Sequence, residues 1–309
     1  MSFYSGFFQL KQVKQGIYAA IVKDGTGALG NAGFVDLGNQ TIVFDTFQST
    51  LAAKDLKQMA EEITEKPVTF VINSHWHYDH VMGNQIFHDA TIISTCRTRE
   101  LIYEKVAGFL TFAKANRDYP QLLQEEANRE KNPAKRAELL RNAGDTKHVA
   151  SLIDTYILTL PHLTFKNELT IHGSARKAVL LNLGGGHSED DTLLYLPDDK
   201  VAFMGDLLFN KYHLTLKSGN PDHWLQIIDQ ISGMDIETYI PGHGDLATRT
   251  ELELNRNYIK QLQQMLAKAK LQRTSQEELL NQPVPEPYQN WFGSSVFADN
   301  LQFLYQCKR

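Results

Sequence analysis
Along the first part of the chain apolar and polar residues alternate in short runs broken by turn formers. Phe8 to Lys14, Ile17 to Lys23, Ala32 to Leu37 and Thr41 to Asp45 read as strands, with Gly30, Gly38 and neighbouring Asn residues in the turns. The period then changes. Ala52, Leu56, Met59, Ala60 and Ile63 recur at helical spacing behind Ser49, an N-cap residue type, and Pro67 stops the run. Val68 to Ile72 follows as a buried strand. The residues after Ile72 therefore lie just beyond a strand's C-terminal end, where open sheets place their chemistry.

From Thr98 to Leu158 the pattern is helical and charged. Leu101, Val106, Phe109, Leu110 and Ala113 form one apolar set, and Glu125 to Arg141 is densely charged. This segment reads as a helical insertion, either a solvated helix pair over a sheet edge or a lid over an active site. Strand signals resume at Leu163 to Phe165, Leu169 to His172 and Ala178 to Leu183. Thr192 to Leu196, the turn Pro197 to Lys200, and Val201 to Met204 read as a hairpin. A further strand, Thr238 to Ile240, precedes Pro241-Gly242-His243-Gly244. Leu254, Tyr258, Leu262, Met265 and Ala269 mark a helix, and Gln282 to Arg309 is a tail whose Trp291, Phe292, Phe297, Phe303 and Tyr305 are expected to pack.

Composition narrows the class. With 42% hydrophobic and 22% charged residues, the 309-residue chain is expected to be globular. No linker divides it, so a single domain over 1–309 is expected, elaborated by the insertion at 98–158 and an extension at 250–309. A net charge of -5, with both signs interleaved, offers no surface for neutralising phosphates, so nucleic acid is not an expected partner. Met1 to Gly16 lacks a basic stretch followed by an apolar run, and no segment approaches the roughly 18 apolar residues of a membrane span. A cytoplasmic protein without membrane association is expected, its partner a small-molecule substrate; oligomeric state is silent. Cys96 and Cys307 are too few for a disulfide framework and are expected as small, partly buried residues.

The chemistry is concentrated in Ser74-His75-Trp76-His77-Tyr78-Asp79-His80. Three imidazoles and a carboxylate this close, after a strand, need partners for their nitrogens, and a metal supplies one. In an extended or tightly turned loop His75 and His77 face one side, while Asp79 and His80 can reach a second position. Zinc takes about four such ligands at about 2.0–2.2 Å, and a catalytic zinc keeps one position open. The local run cannot complete two sites. Three candidates stand at the ends of predicted strands: His187 after Gly184-Gly185-Gly186, Asp206 after Gly205, and His243 in Pro-Gly-His-Gly. Glycine beside each lets the chain turn sharply and approach an ion.

Taken in order, His75-Xaa-His77-Xaa-Asp79-His80, Gly186-His187-Ser188, Gly205-Asp206 and Pro241-Gly242-His243 resemble the metallo-β-lactamase superfamily, over roughly two thirds of the chain, Asp45 to Gly244. The resemblance implies an α/β fold, a four-layer αββα sandwich with metals at one edge of two packed sheets, carrying here a helical insertion and a helical C-terminal extension. It implies two Zn2+ per chain, with iron or manganese as alternatives. His75, His77 and His187 would hold the first metal, Asp79, His80 and His243 the second, and Asp206 would bridge them. Asp45 resembles the family's early strand-end Asp, which supports ligands without being one. Five of the chain's eleven histidines fall in this order, which an assortment of unrelated structural histidines does not explain.

Two such cations would lower the pKa of a shared water, and the resulting hydroxide would attack an ester, thioester, lactone or lactam bond in a small molecule. Asp79, as catalytic residue, would orient it and accept its proton. Tyr212 and His213 are read either as electrophile and proton donor or as a loop aromatic and a surface histidine. Lys211 and Lys217 are candidates for holding a substrate carboxylate. Trp76 and Tyr78 either line the substrate pocket or pack behind the metal loop.

True β-lactamases normally carry Cys where this chain has Asp206, which points away from an antibiotic substrate. Hydroxyacylglutathione hydrolases share the ligand set and a stretch like Asp206-Leu207-Leu208-Phe209, but Gly244-Asp245-Leu246 departs from their usual continuation; lactone hydrolases fit equally. The alternatives from other classes are a mononuclear iron persulfide dioxygenase of the same fold and a catalytically inert metal-binding protein. A nucleic-acid-processing member would need an inserted domain that the stretch from Asp206 to His243 leaves no room for.

Overall fold
The structure, a computed structural model, describes residues 4–307. The chain opens with an antiparallel meander, β1 (Phe8–Lys14), β2 (Ile17–Val22), β3 (Ala32–Asp36) and β4 (Thr41–Phe44), followed by α1 (Thr50–Thr64) and β5 (Val68–Ile72). A short α2 (Tyr78–Val81) leads to β6 (Thr91–Thr95). Next come α3 (Cys96–Leu101), a π-helical turn at Ile102–Val106, α4 (Ala107–Ala115), α5 (Tyr119–Arg129) and α6 (Pro133–Leu152), before β7 (Leu163–Phe165). The second half holds β8 (Glu168–His172), β9 (Lys177–Gly184), β10 (Asp191–Leu196), β11 (Val201–Phe209), α7 (Pro221–Ser232), β12 (Thr238–His243), α8 (Arg249–Gln272), α9 (Gln276–Leu280) and α10 (Ser294–Cys307).

Strands β1 to β7 form one sheet in sequence order, and β12-β11-β10-β9-β8 form the other. Period-two alternation explains how they stack, because both faces of the central strands are buried. In β3 and β4, Val35, Ile42 and Phe44 turn inward, and in β11 Val201 and Phe203 meet them from the opposite sheet. The alternate residues Phe34 and Val43 turn outward onto Ala52, Ala53, Leu56 and Met59 of α1. Ala202 and Met204 turn outward onto Trp224, Ile227 and Ile231 of α7 and Ile259 and Leu262 of α8. The order is helix, sheet, sheet, helix, the four-layer sandwich expected. Each large side chain buried this way contributes about 1.5–3 kcal/mol.

Helix α1 starts where expected, the Ser49 hydroxyl accepting from Ala52 N at 3.2 Å. Other boundaries differ. Strand β11 runs on through Gly205 and Asp206 to Phe209, and β12 through Pro241 to His243, because the two pair in parallel as far as Phe209 and His243. Strand β6 and helix α7 fall outside the sequence expectation, whereas α10 lies in the 250–309 extension expected to be helical. The signal for α7 was available: Asn220 caps the helix, Pro221 opens it, and Trp224, Ile227, Ile228 and Ile231 follow at helical spacing.

The tail packs as expected through Trp291 and Phe297, which are buried in the outer core beside α8; its last residues, Lys308 and Arg309, lie outside the described residues. Both cysteines are exposed, which corrects the expectation of partial burial. Each sits on a helix flanking the sandwich, Cys96 in the first turn of α3 and Cys307 in the last of α10. Among the described residues no helix is long and apolar enough to cross a membrane.

Candidate metal centre
The strand β5 ends at Ile72, and the next residues are held by a single carboxylate. Asp45, at the end of β4 with φ 58°, accepts Ser74 N at 2.8 Å on Oδ1 and the Ser74 hydroxyl at 2.7 Å on Oδ2. Its Oδ2 also faces His80 Nδ1 at 2.9 Å. Left-handed backbone is uncommon outside glycine, though Asp adopts it more readily than most residues. With the Ser74 proton given to Asp45, the Ser74 oxygen is left to accept from His75 Nδ1 at 2.9 Å. This network assigns the N–H of both His75 and His80 to Nδ1 and turns both Nε2 lone pairs inward. His77 is turned the other way, its Nε2 against Ser218 Oγ at 3.1 Å and its Nδ1 inward.

His187 arrives on the loop between β9 and β10. Asp191 holds that loop, accepting the backbone N–H of Gly186 and His187, each at 2.8 Å, and the Ser188 hydroxyl at 2.7 Å. Burial pushes the Asp191 carboxyl up to about 6 against these hydrogen bonds. Asp206 projects from β11 and His243 ends β12. Gly242 is required between them, since a Cβ there would stand 1.9 Å from Asp206 Oδ1.

These elements bring all seven predicted side chains together. His75, His77, His187 and Asp206 form one group, and Asp79, His80 and His243 another; within each group the donor atoms lie within 4.8 Å of one another. Asp206 faces both: its Oδ2 lies 3.2 Å from His187 Nε2 and 3.4 Å from His243 Nε2, and its Oδ1 lies 3.2 Å from His80 Nε2. Asp79 Oδ2 is 3.3 Å from His243 Nε2 and 3.5 Å from His80 Nε2.

The donor set fits a metal. His75 Nε2, His80 Nε2 and Asp206 Oδ1 are buried without any hydrogen-bond partner, a costly state for polar atoms that a cation relieves. The titration behaviour agrees. Burial lowers the imidazolium pKa of His75 well below its ordinary value and that of His187 to about 3. At His243 burial opposes charge, but the Asp206 and Asp79 carboxylates outweigh it and raise the group to about 9. Asp79 itself, despite burial, is held down at about 2, chiefly by His80 and His243. The two carboxylates demand positive charge at this spot.

The remaining candidates separate. Tyr212 lies near the group, its ring 5.9 Å from that of His243, but its hydroxyl donates to Asp24 Oδ1 at 2.8 Å. His213 is neither a surface histidine nor a donor at the centre. It is 4% exposed, turned into the C-terminal core with Nδ1 2.8 Å from the Tyr258 hydroxyl, because Phe292 O takes its backbone N–H. Lys217 pairs with Asp299 at 2.7 Å, and Lys211 is exposed. Tyr78 stacks on Phe109 at 4.2 Å, and Trp76 donates to Glu189 at 2.8 Å. Sequence reasoning missed Ser74, Asp191 and Ser218. The Ser188-Glu189-Asp190-Asp191 run could have shown the second, since Asp and Ser side chains fold back on nearby backbone; nothing marks Ser218.

Comparison with known proteins places this geometry in a class. Residues 25–243 match the metallo-beta-lactamase superfamily. Among solved structures, the metallo-beta-lactamase from Pontibacter korlensis superposes with a TM-score of 0.59 at 15% identity, covering 82% of this chain and 99% of that one. FIM-1 from Pseudomonas aeruginosa, in a mono-zinc form, gives 0.59 at 13% identity, covering 82% and 95%. A linear primary-alkylsulfatase from a Pseudomonas species is 22% identical over 219 residues, 66% of this chain and 39% of that protein. The chain thus spans less than half the length of this curated relative. It belongs to the metallo-beta-lactamase superfamily.

Proposed function
We propose that the protein hydrolyses an ester-type bond in a small molecule with two cations, zinc in the first instance. Under this reading His75, His77 and His187 hold one, Asp79, His80 and His243 the other, and Asp206 serves both. The observation that carries it is the convergence of two complete donor groups on one shared carboxylate, with the free donor atoms turned toward each other. When bound, such a pair lowers the pKa of a water toward neutrality and polarises the bond under attack.

The chain's own residues supply the rest. Asp79 reaches the second group through Oδ2, and its low pKa keeps it ionised, so that it would hold the cation and accept a hydrogen bond that orients the attacking water. Asp45 and Ser74 fix the tautomers of His75 and His80 so that lone pairs, not N–H groups, face the ions. Asp191 fixes the backbone that presents His187. The bonds in view are carboxylic esters, thioesters, lactones and lactams, and the likeness to an alkylsulfatase adds sulfate esters.

Metal analysis of the purified protein, combined with a panel of these substrates at neutral pH, tests the reading. Two zinc ions per chain with turnover of at least one member support it. One iron with oxygen uptake would instead make the protein an oxygenase, and bound metal with no turnover across the panel would make it a binding protein.

A further inference from the structure
Helix α4 combines an apolar composition with exposure. It reads AGFLTFAKA and buries none of its residues; Phe112 is 56% exposed. Apolar surface of this kind normally marks a place that something else covers. Between α4, α5 and α6 and the ligand-bearing loops lies a cavity of about 470 Å³, walled by Phe109, Phe112, Leu123 and Val149 from the helices and by Tyr78 and Leu29 from the sandwich. That size and lining fit a small-molecule site.

None of the seven donors lines the cavity, but two of its lining residues adjoin the metal centre along the chain. Tyr78 stands between the ligands His77 and Asp79. Leu29 precedes Gly30, where an added Cβ would come within 2.8 Å of His80 Nε2, so the chain there passes directly over the donor atoms of the second group. Asp145 adds a polarity. It is 5% exposed in the cavity wall, and its Oδ2 accepts no hydrogen bond. Its charge is met by Gly27 N–H on Oδ1 at 2.8 Å and by Arg141 Nε 3.7 Å from Oδ2, and the lining itself holds no Lys, Arg or His to receive an anionic group, so an uncharged tail is what fits.

We propose that this cavity holds an extended, uncharged aliphatic tail of the substrate while the bond to be cleaved lies at the metal centre, so that the enzyme prefers amphipathic esters with long chains over short polar ones. The inference rests on the hydrolase reading and adds to it a substrate class and a role for the insertion. Tail burial at a distance from the reacting atoms supplies binding energy that can be used at the bond under attack.

The test is a series of p-nitrophenyl esters from acetate to decanoate with the metal-loaded protein. Each methylene that enters the cavity is expected to raise kcat/KM about three- to fourfold until the cavity is full. Ala113→Trp and Ala150→Trp, each adding bulk at a half-buried lining position, are expected to lower the ratio of decanoate to acetate kcat/KM at least tenfold. Binding of 1-octanol, read by saturation-transfer NMR, gives an arm that needs neither turnover nor metal; the two variants are expected to abolish it.

Turnover that is flat along the series would overturn the tail site while leaving the hydrolase reading intact, as would a self-associated protein whose α4 is covered by a second copy. Absence of turnover on every ester would overturn the proposed substrate class and leave the hydrolase reading to the other bonds of the panel, and octanol binding lost in the variants would then support the cavity by itself. Variants that bind octanol like the parent would overturn it.

Discussion
At the sheet edge, side chains are polar and buried; on α4, they are apolar and exposed. His75, His80, His187 and Asp206 are almost entirely removed from solvent and leave donor atoms without partners, whereas Phe112 and its neighbours stand in water beside an open cavity. Both arrangements oppose the usual sorting of residues by polarity, and each would become favourable with the proposed ligand in place: a cation in the first case, an apolar group in the second. The edge is held rigid by Asp45 and Asp191, each collecting several hydrogen bonds. The insertion is tied down chiefly at its base, where Ile102, Val106, Val149 and Ile153 pack on Val81 and Met82.

The largest effect that would break this contrast is at the polar edge. His77→Ala removes one donor of the first group, and both metal content and turnover are expected to fall, turnover by more than the ~10²–10³ that loss of one electrostatic donor costs. Full zinc stoichiometry with unimpaired turnover in this variant would sink the ligand assignment. Next in size is Asp45→Asn. Asn tolerates the left-handed backbone at this position, so the fold is expected to persist, while the loss of the carboxylate that orients His80 and Ser74 weakens metal affinity about 10–100-fold. Competition with a chelator measures it; unchanged affinity would mean that the ring orientations are set by packing alone.

The two regions also differ in how much the sequence revealed. The seven side chains that converge were legible because each sits in a local pattern: a dense histidine run, or a residue beside glycine within or just after a strand. The sandwich was legible because its strands alternate and α1 has a cap and a stop. Ser218 was not, since a lone serine has no pattern and acquires its role only when its loop passes His77. Strand β6 was missed because Thr91–Thr95 is short and follows a loop-like stretch, and the bounds of α10 within the helical extension were not legible because its aromatics obscured the helical period. The cavity could not be read at all: Phe109 and Ala113 carry the expected helical spacing, but spacing does not say whether a face meets a sheet or encloses empty space.

A third experiment sharpens the contrast by comparing histidines. His187 and His213 are both buried with lowered pKa values, yet only the first converges with other donors. Burial lowers His213 to about 4, against about 6.5 in the unfolded chain. The unfolded state therefore binds more protons between these values. Stability from keeping His213 neutral is fully present above about pH 6.5 and is lost as pH falls toward 4, by on the order of 3 kcal/mol in total. Denaturant melts at pH 7, 6, 5 and 4 should show His213→Gln lacking this part of the acid loss, while the loss shared with the metal ligands stays in both proteins. Equal acid sensitivity in parent and variant would show that His213 is freely hydrated.

The smallest expected effect concerns the joint between the regions. Arg141, on α6 of the insertion, stands 3.8 Å above the ring of Phe292 from the C-terminal extension and 5.1 Å from that of Tyr212, which neighbours His243. It also lies 3.5 Å from Asp24 and 3.7 Å from Asp145. A partly desolvated guanidinium over aromatic faces contributes about 1–2 kcal/mol, and Met in its place keeps apolar bulk without the charge. Arg141→Met is expected to lower the melting temperature by only about 2–4 °C, while increasing proteolysis within 107–152 far more than elsewhere. The selectivity is the point, because an insertion that keeps its apolar base but loses the cation between two aromatics loosens without unfolding the sandwich. Uniform cleavage along the chain would mean that the insertion and the metal edge melt as one unit, and the contrast between them would then be one of composition and not of stability.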